Sequence, residues 1–172
     1  MSSPETSSSE TSSPGSPSPQ RRRRSLAMTR SELDTFLGAQ RTCRVGTVSA
    51  SGQPHVTPLW FAWDGTAVWL YSIVDSQRWV DIVRDPRVSV VIDDGERYAE
   101  LRGVEILGAA QTVGDIPRTT TPDPQLSEPE RLFAEKYFGS ADFVSDGYHA
   151  WLRVIPNRLR SWDFRKIAQR PA

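Results

Sequence analysis

The spacing of hydrophobic positions changes along the chain, and each change marks an element. Leu33, Phe36 and Leu37 fall on one helical face behind Ser31, with Gly38 near the end, so residues 31–40 are predicted to form a short helix. The period then becomes two. Val45, Thr47 and Ser49 alternate with Arg44, Gly46 and Val48 as far as the Ser51-Gly52 turn signal. Two further β-rich runs, residues 55–63 and 66–73, are separated by Asp64-Gly65, a hairpin signal. Residues 43–73 therefore read as a three-stranded meander.

Helical spacing returns at Trp79, Val80, Ile82 and Val83. Asp75 or Ser76 is suited to cap that segment and Asp85-Pro86 to end it. Residues 88–92 form an apolar strand, and Asp94-Gly95 turns the chain into residues 98–113, a bent strand with bulges expected at Gly103 and Gly108. Residues 114–125 hold three prolines and read as a loop. Residues 127–137 read as a helix with Leu132, Phe133 and Tyr137 inward. Two last strands, 149–155 and 158–164, flank Pro156-Asn157. The fold class is mainly β: six or seven antiparallel strands with short helices, spaced for a small barrel rather than a sandwich. A barrel closes its own edges, which suits strands this apolar.

Composition changes this picture at the N-terminus. Of the first 20 residues, 15 are Ser, Thr or Pro, and Arg21 to Arg24 follow. Such a segment buries too little apolar surface to offset its chain entropy, so residues 1–24 are expected to be a disordered tail and residues 25–172 the domain. The tail carries four arginines against Glu5 and Glu10, so the zero net charge of the 172 residues divides into +2 and −2. No apolar core of an export signal follows the arginines, and cytoplasm is the expected compartment. Balanced charge gives no reason to expect a nucleic-acid partner, and no apolar run is long enough to cross a bilayer. One cysteine and two histidines make a structural metal unexpected.

Catalytic signatures are also missing. The chain has no Gly-rich phosphate loop, nucleophile elbow or paired-histidine helix, so no catalytic residue is assigned, and His55, His149 and Cys43 read as packing residues. Chemistry, if present, belongs to a cofactor. One segment offers a place for it. Residues 72–78 leave a strand and enter a helix whose first turn has free N–H groups and the positive end of the dipole. Ser72, Ser76 and Gln77 add donors, and Arg78 adds a fork suited to phosphate. An ordinary capped helix with an exposed Arg78 fits the same spacing equally well.

Several runs resemble a known family: Gly46-Thr47-Val48, Gly52 through Trp60, Ser76-Gln77-Arg78, and Arg84-Asp85-Pro86-Arg87-Val88. They are similar to the split β-barrel flavin-binding superfamily, which includes pyridoxamine-phosphate oxidases and flavin or deazaflavin oxidoreductases. Residues 160–166 resemble an actinobacterial deazaflavin branch. The resemblance implies a split barrel forming a homodimer with cofactor at the interface. Its phosphate would lie on Ser72, Ser76, Gln77 and Arg78, and its ring would run along His55, Val56, Thr57, Pro58 and Leu59, with Ile73 completing an apolar pocket. It also implies hydride transfer to a small-molecule substrate without a protein acid or base.

Two departures stand out. Arg78 replaces the family's usual Lys, which keeps the charge. Asp81-Ile82 replaces Asn-Leu and places a carboxylate one turn from the phosphate site, weakening it unless Arg78 or Arg84 pairs with it. The Arg-x-His substrate pair of true pyridoxamine-phosphate oxidases is unmatched at Arg158-Leu159-Arg160, which argues against that activity. The branch resemblance makes coenzyme F420 the first expectation, and Arg158, Arg160, Arg165 and Lys166, with Trp162 among them, are the residues that would line a groove for its acidic tail. A solvated basic edge strand is the plain alternative, FMN is the alternative cofactor, and a carrier without turnover would use the same residues. Substrate contacts are expected from residues 114–125 and 139–147, with Tyr148 and Trp162 able to stack or simply pack.

Overall fold

The computed structural model describes residues 25–168, so the expected tail lies outside the described residues. Helix α1 (Arg30–Ala39) is capped by Thr29 rather than Ser31. Thr29 Oγ1 accepts from Glu32 N, and Thr29 N donates to the Glu32 carboxylate at 2.6 Å, a reciprocal capping box. Leu33, Phe36 and Leu37 are buried, as their spacing requires.

The strands are β1 (Thr42–Val48), β2 (Pro54–Trp63), β3 (Val68–Ile73), β4 (Arg87–Asp94), β5 (Arg102–Val113) and β6 (His149–Asp163). The helices after α1 are α2 (Gln77–Arg84), α3 (Ser127–Phe138) and the short α4 (Arg165–Ala168). All strand pairs are antiparallel, and the order around the closed barrel is β1-β2-β3-β6-β5-β4, with β4 returning to β1 at Arg44, Val45 and Gly46. The loop between β2 and β3 is set by Asp64. One carboxylate oxygen accepts from Thr66 N, Thr66 Oγ1 and Ala67 N, each at 2.7 Å, and the other accepts from Trp69 Nε1.

Alternation sorts side chains onto two faces. Val45, Phe61, Leu70, Val90, Ile92, Val104, Ile106, Leu152 and Val154 fill the barrel. Trp69, Tyr71 and Trp151 face outward and are covered by Leu126 and Phe133 as α3 packs over them. Burying each large side chain contributes roughly 1.5–3 kcal/mol, so the outer layer is a second core.

Three expectations need correction. The final two strands are one, β6, running straight through Pro156. Leu107 pairs with Arg158 and Gly108 with Pro156, so Asn157 is an extra residue absorbed as a bulge and not a turn. Gly103 lies in regular pairing; it is glycine because a Cβ there would enter the ring of Trp162. Residues 98–100 form a short 3-10 turn, and the strand begins only at Arg102.

A Cβ at Gly108 would collide with the main-chain oxygen of Ile155, which the bulge holds in place. Gly108→Ala is therefore expected to cost about 2–3 kcal/mol, read as a lower urea midpoint at unchanged slope. Gly38→Ala, in α1 with open space around it, is expected to add about 0.5–1 kcal/mol.

Candidate functional site

The barrel is incompletely laddered on one side. β2 pairs with β1 from Pro54 to Trp60, but with β3 only from Phe61 to Trp63. Beyond that point Tyr71, Ser72 and Ile73 pair with β6 alone. A split opens between the first half of β2 and the end of β3, and α2 starts beside it.

Arg78 spans this split. Its side chain enters between the strands: Nη1 donates to Thr57 Oγ1 on β2 at 2.6 Å, and Nε and Nη2 donate to Ser72 Oγ on β3 at 3.2 and 3.1 Å. Ser72 is fully buried and Arg78 is 6% exposed. Burial pushes the guanidinium below its ordinary pKa. Its hydrogen-bond partners are hydroxyls, with no carboxylate among them. Asp81 is equally buried, but it accepts from Thr47 Oγ1 at 2.9 Å and Gln77 Nε2 at 2.8 Å, and it lies 3.8 Å from His55 Nδ1. Neither Arg78 nor Arg84, the two arginines whose pairing with Asp81 would have spared the phosphate site, bonds it; Thr47, Gln77 and His55 surround it instead. The exposed Arg78 of an ordinary capped helix is excluded. A buried cation lacking a counter-charge fits a phosphate.

The other expected residues are placed as follows. Ser76 caps α2, its Oγ accepting from Trp79 N at 3.3 Å and donating to Ile73 O at 2.8 Å. Gln77 is turned toward Asp81. His55, Thr57 and Leu59 lie half-buried on the inner side of β2, whereas Val56, Pro58 and also Ile73 are exposed. The C-terminal group does not join Arg78 within one chain. Ser72 pairs with Ala150 at the start of β6, while Arg160 and Trp162 pair with Glu105 and Gly103 near its end. Arg165 is held by Asp163 at 2.6 Å, and Lys166 by Glu32 at 2.6 Å and Ala27 O at 2.8 Å. Among the described residues no cluster of His, Cys, Asp or Glu is arranged for a metal, and no helix is long and apolar enough to cross a membrane.

Adjoining the split is an aromatic groove of about 570 Å³. Pro58, Leu59 and Trp60 line it from β2, Phe133 and Phe138 from α3, and Phe143, Asp146 and His149 close it. Trp60 stacks on Tyr137 with centroids 4.3 Å apart and planes at 8°. The sequence pointed to the loop of residues 139–147, but not to His149 or Tyr71. The available signal was the recurrence of Phe133, Tyr137, Phe138 and Phe143, more aromatic than one helix face needs.

Residues 29–163 match the pyridoxamine 5'-phosphate oxidase family. The chain belongs to that family. It is a flavin-binding oxidoreductase family, and the split barrel with its short helices is the fold expected of a member. Among solved structures, the conserved hypothetical protein Rv2991 of Mycobacterium tuberculosis is 32% identical, with a TM-score of 0.72 over 87% of this chain and 93% of that one. An F420 reductase is 22% identical, with a TM-score of 0.53 over 73% and 94%. A FAD-binding protein of Mesorhizobium loti is 19% identical, with a TM-score of 0.58 over 78% and 93%. At those identities the last two show the fold alone. The search among curated proteins found no match.

In this family member α3 is clamped to the barrel by two side chains. Tyr137 Oη accepts from Phe61 N at 3.0 Å and donates to Arg41 O at 2.6 Å. Lys136 Nζ donates to Leu37 O at 3.1 Å and Phe61 O at 3.2 Å, over the Phe61 ring. Burial lowers the Lys136 pKa from 10.5 to about 8. Between those values the unfolded chain keeps a proton that the folded chain lacks, so this group favours folding more as pH rises through that window. Burial raises Cys43, Tyr71 and Tyr137 to about 12, and all three oppose that trend at higher pH. They are common to wild type and Lys136→Met. The wild type is therefore expected to gain Tm relative to Lys136→Met between about pH 8 and 10; a constant difference would contradict the assignment.

Proposed function

We propose that the chain is an oxidoreductase that holds a phosphorylated tricyclic cofactor at the β2–β3 split and passes hydride to a small conjugated acceptor. Arg78 carries this reading. Withdrawing a guanidinium from water costs several kcal/mol unless a counter-charge meets it, and two hydroxyls do not supply one. A phosphate monoester or diester does. Arg78, Ser72 and Thr57 would hold it, with the first-turn amides of α2, behind the Ser76 cap, as further donors. When bound, the cofactor supplies the hydride chemistry. The chain binds the phosphate, supports the ring along His55 to Leu59 and excludes water, a division of labour that requires no catalytic set.

Coenzyme F420 is the first reading, supported by the likeness of residues 160–166 to the deazaflavin branch and by the shared fold of an F420 reductase. One observation favours FMN as the second reading. Arg165 and Lys166, which the acidic tail of F420 would need, are neutralised by Asp163 and Glu32, and FMN requires the Arg78 cluster alone. A homodimer belongs to either reading, because Val56 is 63% exposed on the outer face of β2, where a second subunit would cover it. Arg158-Leu159-Arg160 lacks the histidine of the substrate pair, which argues against oxidation of pyridoxamine phosphate.

Arg78→Met tests the assignment. Losing two charge-assisted bonds at about 1.5–3 kcal/mol each is expected to weaken F420 or FMN binding at least 100-fold. Without cofactor, Tm is expected to be unchanged or higher, since an uncompensated buried charge has gone. Wild-type affinity in this variant would place the phosphate elsewhere.

A further inference from the structure

His149, read from sequence as a packing residue, is positioned from three sides. Its main chain pairs with Ile73 where β6 begins, and its ring stacks on Tyr71 with centroids 4.7 Å apart and planes at 20°. Asp146 Oδ1 accepts from Tyr148 N at 2.9 Å, His149 N at 3.1 Å and Tyr71 Oη at 3.3 Å. Asp146 Oδ2 lies 2.7 Å from His149 Nδ1, a charge-pair distance whose angle falls short of an aligned hydrogen bond. The three donors to Oδ1 hold the carboxylate in place beside Nδ1. His149 lines the groove, and Nε2 is the ring nitrogen that does not face Asp146.

We propose that His149, as the imidazolium paired with Asp146, anchors the carbonyl oxygen of the acceptor through its Nε2–H and gives it that proton. The proposal rests on the hydride-transfer reading and assigns that reaction a protein group. Planar acceptors suit ring faces such as Trp60, Tyr71 and Phe143. Among the described residues Asp146 is the only carboxylate in the groove's lining, and no Lys or Arg lines it, so anionic acceptors are disfavoured. Pro58 and Leu59 belong both to the groove and to the strand supporting the cofactor ring, which brings donor and acceptor together. Hydride delivered to the β-carbon of a conjugated carbonyl, from reduced flavin or deazaflavin, breaks the C=C π bond and moves an electron pair to oxygen. The oxygen takes the Nε2 proton of the imidazolium, which leaves a neutral imidazole with its proton on Nδ1 against Asp146, and solvent water returns a proton to Nε2.

The full-length protein provides the test. Equilibrium dialysis compares 1,4-naphthoquinone with naphthalene, which has the same ring and no carbonyl. His149→Phe keeps a ring against Tyr71 and removes both nitrogens. It is expected to weaken naphthoquinone about tenfold and naphthalene less than about twofold, whereas Trp60→Ala weakens both. In the cofactor-loaded enzyme, His149→Phe is expected to lower kcat about 100-fold with a planar enone at unchanged cofactor affinity. Equal naphthoquinone binding in wild type and His149→Phe overturns the anchor, and an unchanged kcat overturns proton donation. If the wild type binds neither F420 nor FMN, yet His149 still discriminates the quinone, the anchor stands and the cofactor reading falls.

Discussion

A guanidinium buried between two hydroxyls brings positive charge into the barrel without cancelling it, and the site is arranged around that imbalance. The β2–β3 ladder stops after Trp63 pairs with Val68 and Phe61 with Leu70, so Thr57 and Ser72 face one another across a gap rather than across hydrogen bonds. Arg78 fills the gap and bonds to both. Asp81, three residues on, would neutralise it if free. Thr47 and Gln77 instead hold the Asp81 carboxylate, which makes no hydrogen bond to Arg78. The proposed phosphate would meet this charge and offset its desolvation cost.

The second layer extends this site. α3 covers Trp69, Tyr71 and Trp151, and Lys136 and Tyr137 anchor it to the main chain of Phe61, the residue at which β2 parts from β3. The same helix supplies Tyr137 as the stacking partner of Trp60. The end of the split, the clamp and the groove wall are therefore consecutive along β2: Leu59, Trp60, Phe61. Thr57, which Arg78 bonds, and the groove-lining Leu59 and Trp60 share one strand, which links the burial that stabilises α3 to the geometry of the proposed site.

Much of this was legible in the chain. Period changes and turn residues located α1, the meander, α2 and α3, and the order of short motifs pointed to the family. What escaped depends on residues far apart in sequence. Pro156-Asn157 has the composition of a turn, and only Gly108 opposite it shows that it is a bulge. Arg78 fits an exposed or a buried place equally until Thr57 and Ser72 are seen on inner faces across a gap. The partners of Asp81 come from β1 and from its own helix, and no local rule selects Thr47. The C-terminal cations form a cluster in sequence, but Asp163 and Glu32 answer two of them, and β6 carries them away from the split. His149 has no motif around it; Tyr71, paired through β3, makes it a built feature.

The central claim is that the split recognises phosphate and not only a ring. Binding of FMN against riboflavin, and of F420 against its phosphate-free deazaflavin chromophore, measures that difference directly by fluorescence titration. For the cofactor used, the phosphorylated form is expected to bind at least about 100-fold tighter, the worth of two charge-assisted bonds to Arg78. Equal affinities for the phosphorylated and phosphate-free forms would contradict it.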